Sequence, residues 1–314
     1  MSGATRIDVH QHLLPPEFIE ALERHGMGAW APAAWSEEGA LAMMDQNEIA
    51  TGVLSLSMPG THFGDDAEAR VLTRKINERL AGLVKRRPNR FGMFASVPLP
   101  DIDGSLEAIR EAYDDFSTDG VVLMASIRGT YIGDPAFDPV MAELDRRAAI
   151  IYIHPTPLAG PPAPGVHPIL ADVLLDTTRA AINMVLQGVP RRFPNLKIIL
   201  AHGGGFLPYA AYRVATLANV IDQKTSDADV LDGLSSFYFD TGLASSSTSL
   251  PSLLKFARPG HILFGTDWPY CLDKTVTFFT GSLDNFGDLD LSGHSAINRQ
   301  NAEALFSRLA GLVS

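Results

Sequence analysis

The sequence predicts an α/β protein of the (β/α)₈ TIM-barrel class, in which eight parallel strands close on themselves inside a ring of helices. Eight short β-rich runs alternate with helix-like segments, and several runs are almost continuously apolar, as in KIILAH and GVVLMA. Strands that are covered by helices on both faces have this composition. The competing architecture is an open doubly wound sheet, but no G-x-G-x-x-G motif follows the first run.

The predicted elements follow in chain order. The strands are expected at Arg6–His12, Thr51–Ser57, Arg90–Val97, Gly120–Ala125, Ile150–His154, Lys197–His202, Phe237–Thr241 and Ile262–Thr266. Between them, helical periodicity or basic C-terminal ends predict helices at Asp65–Arg87, Ser105–Phe116 and Leu170–Arg192. Asp138 before Pro139 is interpreted as the N-cap of a further helix.

Composition limits the class of protein. The 314 residues are 46% hydrophobic and show no linker, so we expect a single barrel domain over 1–314. The net charge of −11 argues against a nucleic-acid partner. The single cysteine, Cys271, excludes an internal disulfide and fits a cytoplasmic location, and we interpret it as a passive buried thiol. No signal peptide or membrane-spanning run is expected.

Side chains that commonly bind metals stand at the ends of the predicted strands. His10 and His12 end the first strand and point the same way, because alternate residues share a face. His154, His202 and Asp267 end the fifth, sixth and eighth strands. Residues at the carboxyl ends of barrel strands face the active-site mouth, so we expect all five to converge there.

These residues predict a mononuclear metal centre with room for water or substrate. Imidazole suits zinc, iron or manganese, and three histidines with one carboxylate leave a coordination position open. The ligands are expected to be His10, His12, His154 and Asp267, with His202 as the general acid or base because histidine titrates near neutrality. Asp8 either orients a ligand histidine or acts as a capping carboxylate.

The motifs D-x-H-x-H, H-P, A-H-G-G-G and G-T-D-x-P occur in that order, and the chain from Arg6 to Leu309 resembles the amidohydrolase-2 family. That family is typified by aminocarboxymuconate-semialdehyde decarboxylase, and residues 35–145 are most similar to 6-methylsalicylate decarboxylases. The resemblance implies zinc, or manganese in some members, at His10, His12, His154 and Asp267, with a catalytic His202.

The resemblance also bears on substrate binding. It implies that Arg213 reaches across a dimer interface to hold a substrate carboxylate, whereas the residues alone leave a helix-surface arginine equally open. An arginine that the semialdehyde decarboxylase carries before its M-D-Q segment has no counterpart in Glu37–Ala42. An aromatic monoacid therefore fits better than a dianionic acyclic substrate.

The expected reaction is non-oxidative decarboxylation of a salicylate-like acid, with the proton coming from His202, Asp267 or water held by the metal. Hydrolysis of a lactone, an amide or a ring-fission C–C bond is the alternative, and a metal-stabilised binding protein ranks third. Apolar residues of the mouth loops suit a flat ring, with Trp268 either lining the pocket or packing behind it. These loop residues are Trp30, Trp35, Phe63 and the Pro155–Pro168 segment.

Overall fold

Eight parallel strands form the central sheet of the computed structural model, which describes residues 5–28, 35–158, 160, 162–222 and 225–310. Their order is β1-β2-β3-β4-β7-β8-β9-β10, and β5 and β6 form a small antiparallel hairpin outside the sheet. The strand bounds are β1 Arg6–His12, β2 Ile49–Ser55, β3 Phe91–Ala95, β4 Gly120–Met124, β5 Ser126–Ile127, β6 Thr130–Tyr131, β7 Ile150–His154, β8 Lys197–Leu200, β9 Tyr238–Asp240 and β10 Ile262–Leu263.

The last strand returns to the first, so the sheet is nearly closed into the predicted barrel. The Val9 amide donates to the Phe264 carbonyl at 3.0 Å, and the His12 amide donates to the Trp268 carbonyl at 2.8 Å. A parallel bridge joins Gln11 to Trp268. The (β/α)₈ prediction is therefore confirmed.

Strands β8 and β10 end earlier than their apolar runs predict. The runs extend to His202 and Thr266, but the paired strands stop at Leu200 and Leu263. Just beyond them, His202 has φ 56° and Asp267 has φ 65°, in the left-handed region that a strand cannot contain. The chain turns there to form the active site.

Helices surround the barrel on the described part of the chain. Asp65 caps the third of them, because its side chain accepts the Glu68 amide at 2.7 Å. The bounds are α1 Pro16–Arg24, α2 Glu37–Gln46, α3 Asp66–Arg86, α4 Ile102–Asp114, α5 Asp138–Arg146, α6 Asp172–Leu186, α7 Val189–Arg192, α8 Leu207–Ile221, α9 Asp227–Ser235, α10 Ser249–Phe256, α11 Asp273–Asp284, α12 Leu291–Ser295 and α13 Asn301–Leu305.

Two helix predictions were wrong. The long helix expected at Leu170–Arg192 is divided into α6 and α7, because Gly188 takes a left-handed φ of 73° and ends the first helix. Asp138 is the first residue of α5 rather than its N-cap. A 3₁₀ turn over Pro135–Phe137 comes directly before it, so the chain is already helical when it reaches Asp138.

Side chains from the strands fill the barrel interior. Phe94 stacks on Tyr152 with ring centroids 5.3 Å apart, and the same buried cluster includes Val53, Val122 and Ile199. A second, larger apolar cluster lies between the sheet and the helices.

No helix in the described ranges has both the length and the apolarity needed to cross a membrane.

Candidate metal centre and active site

Four buried side chains bring ligand atoms together at the carboxyl ends of the strands. They are His10 and His12 on β1, His154 on β7 and Asp267 after β10, and their ligand atoms all lie within 4.8 Å of one another. The Nε2 atoms of His10 and His12 are 3.1 Å apart, and Asp267 Oδ1 is 3.2 Å and 3.1 Å from them. The predicted ligand set is therefore assembled in three dimensions.

Each of the three ligand histidines has an oxygen atom within 3.1 Å of Nδ1, which leaves Nε2 for an ion. His10 Nδ1 lies 3.0 Å from Asp240 Oδ2, and His12 Nδ1 lies 3.1 Å from the Ser55 hydroxyl. His154 Nδ1 lies 2.9 Å from the Pro155 carbonyl. Partners of this kind fix the ring orientation and the tautomer of metal-ligating histidines.

The charges of His154 and Asp267 suit a bound cation. Burial lowers the pKa of His154 far below its ordinary value, and the neighbouring histidines add to the effect. Burial alone would raise the pKa of Asp267, but attraction to His10 and hydrogen bonds with the site histidines outweigh it and hold that pKa well below its usual range. Burial would lower the pKa of His10, but attraction to Asp240 and Asp267 outweighs it and raises that pKa to about 10. A neutral imidazole and an ionised carboxylate are the forms that bind a divalent metal, so His10 would release its proton when an ion binds.

The spacing of the donors fits a single ion. A tetrahedral ion with bonds of about 2.0 Å places its donor atoms about 3.3 Å apart. The distances between the facing atoms of His10, His12 and Asp267 are 3.1–3.2 Å. Atoms of this kind approach so closely only when a proton or a cation lies between them. The residues present therefore fit a mononuclear divalent ion.

His202 stands beside this cluster, as its predicted catalytic role requires. Its Nε2 lies 3.2 Å from Asp267 Oδ2, the oxygen that does not face His10 and His12. Its Nδ1 is buried and has no hydrogen-bond partner among the described residues. His202 and Asp267 thus form a dyad in which both residues hold left-handed backbone conformations, and strain of this kind is concentrated at functional sites.

Asp240 is a functional residue that the sequence reasoning missed. It is completely buried at the end of β9, where Oδ2 lies 3.0 Å from His10 Nδ1 and accepts the Tyr152 hydroxyl at 2.9 Å. Oδ1 accepts the amides of His202 at 3.1 Å and Gly242 at 2.8 Å. Its signal was available, because Asp240 stands one residue before the end of the predicted strand Phe237–Thr241, close to where the other site residues stand on theirs.

Asp8 contacts the ligand histidine only through the backbone. Its carboxylate accepts the His10 amide at 2.9 Å, the Thr266 amide at 3.1 Å and the Thr266 hydroxyl at 2.6 Å. Burial raises its pKa to about 6, although these hydrogen bonds oppose the rise. Asp8 therefore ties β1 to the loop that carries Asp267 and does not orient an imidazole ring.

The predicted substrate-binding residues lie farther from the ligand cluster. Arg213 is exposed on α8 and makes no ion pair with any described residue. Trp268 is 7% exposed, packs in the core near Gly39, and donates its indole N–H to Asp273 at 2.9 Å. Both substrate contacts remain predictions, and Trp30 lies outside the described residues.

Two further hydroxyls near the cluster were not singled out from the sequence. The Tyr270 ring meets the His12 ring edge-on, with centroids 5.2 Å apart. The hydroxyls of Tyr270 and Ser57 are buried without a hydrogen-bond partner that meets normal geometry in the described structure. Burial raises the pKa of Tyr270 to about 12 and the Ser57 hydroxyl opposes the rise, so the two hydroxyls lie beside each other.

The barrel and its centre define the class of metal-dependent (β/α)₈-barrel enzymes in which one divalent ion is held at the mouth. Residues 7–308 match the Amidohydro_2 amidohydrolase family model. The chain belongs to that family. The family resemblance predicted from the motifs is therefore confirmed.

Several similar proteins are named decarboxylases. A decarboxylase of Aspergillus niger is 36% identical over 96% of this chain and 88% of its own length. The 6-methylsalicylic acid decarboxylase of Penicillium expansum is 33% identical over 98% of both chains. A crystal structure of an amidohydrolase II matches with a TM-score of 0.91 and 33% identity, covering 96% of this chain and 99% of its own.

Proposed function

We propose that the protein is a metal-dependent, non-oxidative decarboxylase of a small salicylate-like aromatic acid. The observation that carries this proposal is the position of His202 beside the ligand cluster. Its Nε2 atom lies 3.2 Å from Oδ2 of Asp267, which is also one of the four residues that would bind the ion. The relatives named as decarboxylases, at 33–36% identity, support the same reaction class.

Decarboxylation of an aromatic acid needs a proton at the carbon that bears the carboxylate. Protonation removes the aromaticity of the ring there, and carbon dioxide then leaves as aromaticity returns. The ion held by His10, His12, His154 and Asp267 would supply Lewis acidity toward the substrate oxygens. The His202 and Asp267 side chains, with Nε2 and Oδ2 3.2 Å apart, can share a proton and deliver it to the ring.

The donor set favours zinc, as the sequence predicted. Three imidazoles and one carboxylate are ligands that zinc accepts, and manganese is the second candidate. A dihydroxybenzoic acid decarboxylase from Polaromonas, 22% identical to this chain, carries manganese with 2-nitroresorcinol. Elemental analysis of the purified protein distinguishes the two metals.

The proposal includes a dimer and a cytoplasmic location. Arg213 lies on the outer face of α8 beside Tyr212, which is 75% exposed, and Tyr209 of the same helix is 90% exposed. Exposed aromatic patches of this kind mark contact surfaces. A second copy packed on this face would bury the tyrosines and bring Arg213 toward the neighbouring active site.

The direct test is a screen of hydroxybenzoates, beginning with 6-methylsalicylate, for carbon dioxide release by the metal-loaded protein. We expect stoichiometric carbon dioxide and the decarboxylated phenol. Inert hydroxybenzoates together with acid release from a lactone, an amide or a ring-fission diketone would replace this proposal with the hydrolase alternative. Absence of any turnover would leave the binding-protein reading.

A further inference from the structure

A cavity of about 310 Å³ opens at the carboxyl ends of the strands, and the residues that line it include none of the metal ligands. Its walls come from the chain that follows β2, β3, β4 and β7, whereas the metal ligands come from β1, β7 and the loop after β10. Met124 and Thr156 line the cavity. Met124 lies two residues beyond Val122 on β4, level with His154 on β7, and Thr156 lies two residues beyond His154. Both therefore stand on the face that points into the barrel. We call it the mouth cavity.

The mouth cavity has an apolar wall with a few hydroxyls and one unpaired cation. Its basic side chains are His62 and Arg128, and the His62 ring lies 2.8 Å from the Asp66 carboxylate. Arg128 is exposed at the rim and makes no ion pair with any residue in the described ranges. The apolar wall includes Val97, Leu99, Val122, Met124 and Ile127.

Arg128 occupies a position that disfavours arginine. It forms, with Gly129, the two-residue loop of the β5–β6 hairpin, and both residues have positive φ, 51° and 87°. Two-residue hairpin loops with this conformation prefer Asn-Gly, because glycine and asparagine adopt positive φ more readily than longer side chains do. The turn alone therefore does not explain an arginine here.

We infer that the mouth cavity receives the ring of the aromatic acid, and that Arg128 attracts the substrate carboxylate at the rim before it reaches the metal centre. This inference rests on the proposed decarboxylation. The chain carries a net charge of −11 and repels anions as a whole, so an unpaired guanidinium at the entrance supplies the local attraction. Arg128 thus acts on substrate capture and not on the chemical step.

The decisive variant is Arg128→Asn, which suits the turn and removes the charge. We expect KM for the acid to rise about tenfold, because the local attraction that speeds capture of the anion is lost, while kcat stays unchanged. The decline of kcat/KM with added salt should become shallower than in the unmodified protein. The melting temperature should not fall, and Arg128→Lys should keep most of the affinity.

Matched probes separate charge recognition from a change in cavity shape. Calorimetry on metal-loaded protein should show that Arg128→Asn weakens benzoate binding about tenfold but leaves binding of neutral benzamide unchanged. Arg110 lies on the surface of α4, 3.8 Å from Glu107. Arg110→Asn removes an equal charge there and should change the affinity for neither benzoate nor benzamide. Equal weakening of benzoate and benzamide, or an unchanged benzoate affinity, would overturn the inference. Failure of the unmodified protein to release carbon dioxide would instead overturn the proposed function.

Discussion

Asp240 joins the predicted metal ligand His10 and the proposed acid or base His202 through one buried carboxylate. Each of its oxygens serves two groups, the His10 ring with the Tyr152 hydroxyl on one side and the amides of His202 and Gly242 on the other. Gly265 allows this packing, because a Cβ atom there would lie 2.9 Å from the Cβ of His10 and 3.0 Å from that of Asp240. We regard Asp240 as a positioning residue.

Asp240→Asn should lower metal affinity about 10–100-fold, because it removes the charge that orients and polarises the His10 ring. Equilibrium dialysis with zinc measures this directly. Asp119→Asn is the control, since Asp119 is also a paired carboxylate but binds Arg308 at 2.7 Å, away from the ligands. If both variants lose stability and neither loses metal affinity, Asp240 has only a structural role.

His202→Asn should retain the metal and the fold but lower kcat about 10²–10⁴-fold, the usual contribution of a positioned acid or base. Asparagine is chosen because it tolerates the left-handed backbone of residue 202 better than most side chains. Metal analysis and kcat are measured on the same sample. Loss of the metal with normal activity per remaining ion would make His202 a ligand.

At this scale the sequence predicted the ligands but not their partners. The motifs place His10, His12 and Asp267 at strand ends, and parallel strands bring those ends together. The Asp240–Tyr152 contact joins residues 88 positions apart, and only the barrel register brings them within 2.9 Å. Arg128 was not singled out for a similar reason, because only the folded hairpin places it at the rim of the mouth cavity.

The glycines after β8 are the element that allows His202 to face the ligands. Gly203, Gly204 and Gly205 follow His202 with φ of 63°, 76° and 66°. A Cβ atom on Gly205 would lie 2.1 Å from the Leu174 carbonyl of α6. The G-G-G motif therefore reports a turn that no other residue type can form next to that helix.

Gly205→Ala should destabilise the protein by about 2 kcal/mol or more, from backbone strain together with the clash against α6. Gly281→Ala on α11 is the matched control, because no atom lies within 4 Å of its added methyl group, and it should stabilise by about 0.5–1 kcal/mol. Denaturant unfolding measures both. Equal stability of the two variants would contradict this account of the turn.

Helix boundaries were the least predictable elements. The apolar periodicity continues through Leu170–Arg192, but Gly188 ends α6 because its left-handed backbone cannot remain in the helix. The runs that predict β8 and β10 are longer than the paired strands because apolar composition reports burial, which continues to Thr266, and not backbone pairing. Strand order, in contrast, followed correctly from the alternation.

For the whole molecule, the ion should contribute to folding as well as to catalysis. Only the closed barrel gathers the four ligands, so a metal present at about 1,000 times its dissociation constant adds about 4 kcal/mol of stability. Removal by a chelator should therefore lower the melting temperature and abolish activity, and added zinc or manganese should restore both. A chelated protein with unchanged melting temperature and full activity would contradict the metal centre.

The proposed dimer can be tested by mixing subunits. Arg213→Gln removes the residue that one protomer would supply to its partner, and His202→Asn inactivates the protomer's own site. If Arg213 crosses the interface, mixed dimers contain one intact site, and activity should return to about a quarter of that of the unmodified protein. No recovery, or a fully active monomer, would exclude this arrangement.

The central claim is that a proton replaces the carboxylate on the aromatic ring. Reaction of 6-methylsalicylate with the metal-loaded protein in deuterated water tests it most directly, with the product analysed by proton NMR and mass spectrometry. The account predicts release of carbon dioxide and one deuterium at the carbon that carried the carboxylate. Hydroxybenzoates that stay intact while a lactone or ring-fission diketone is cleaved with incorporation of solvent oxygen would contradict it.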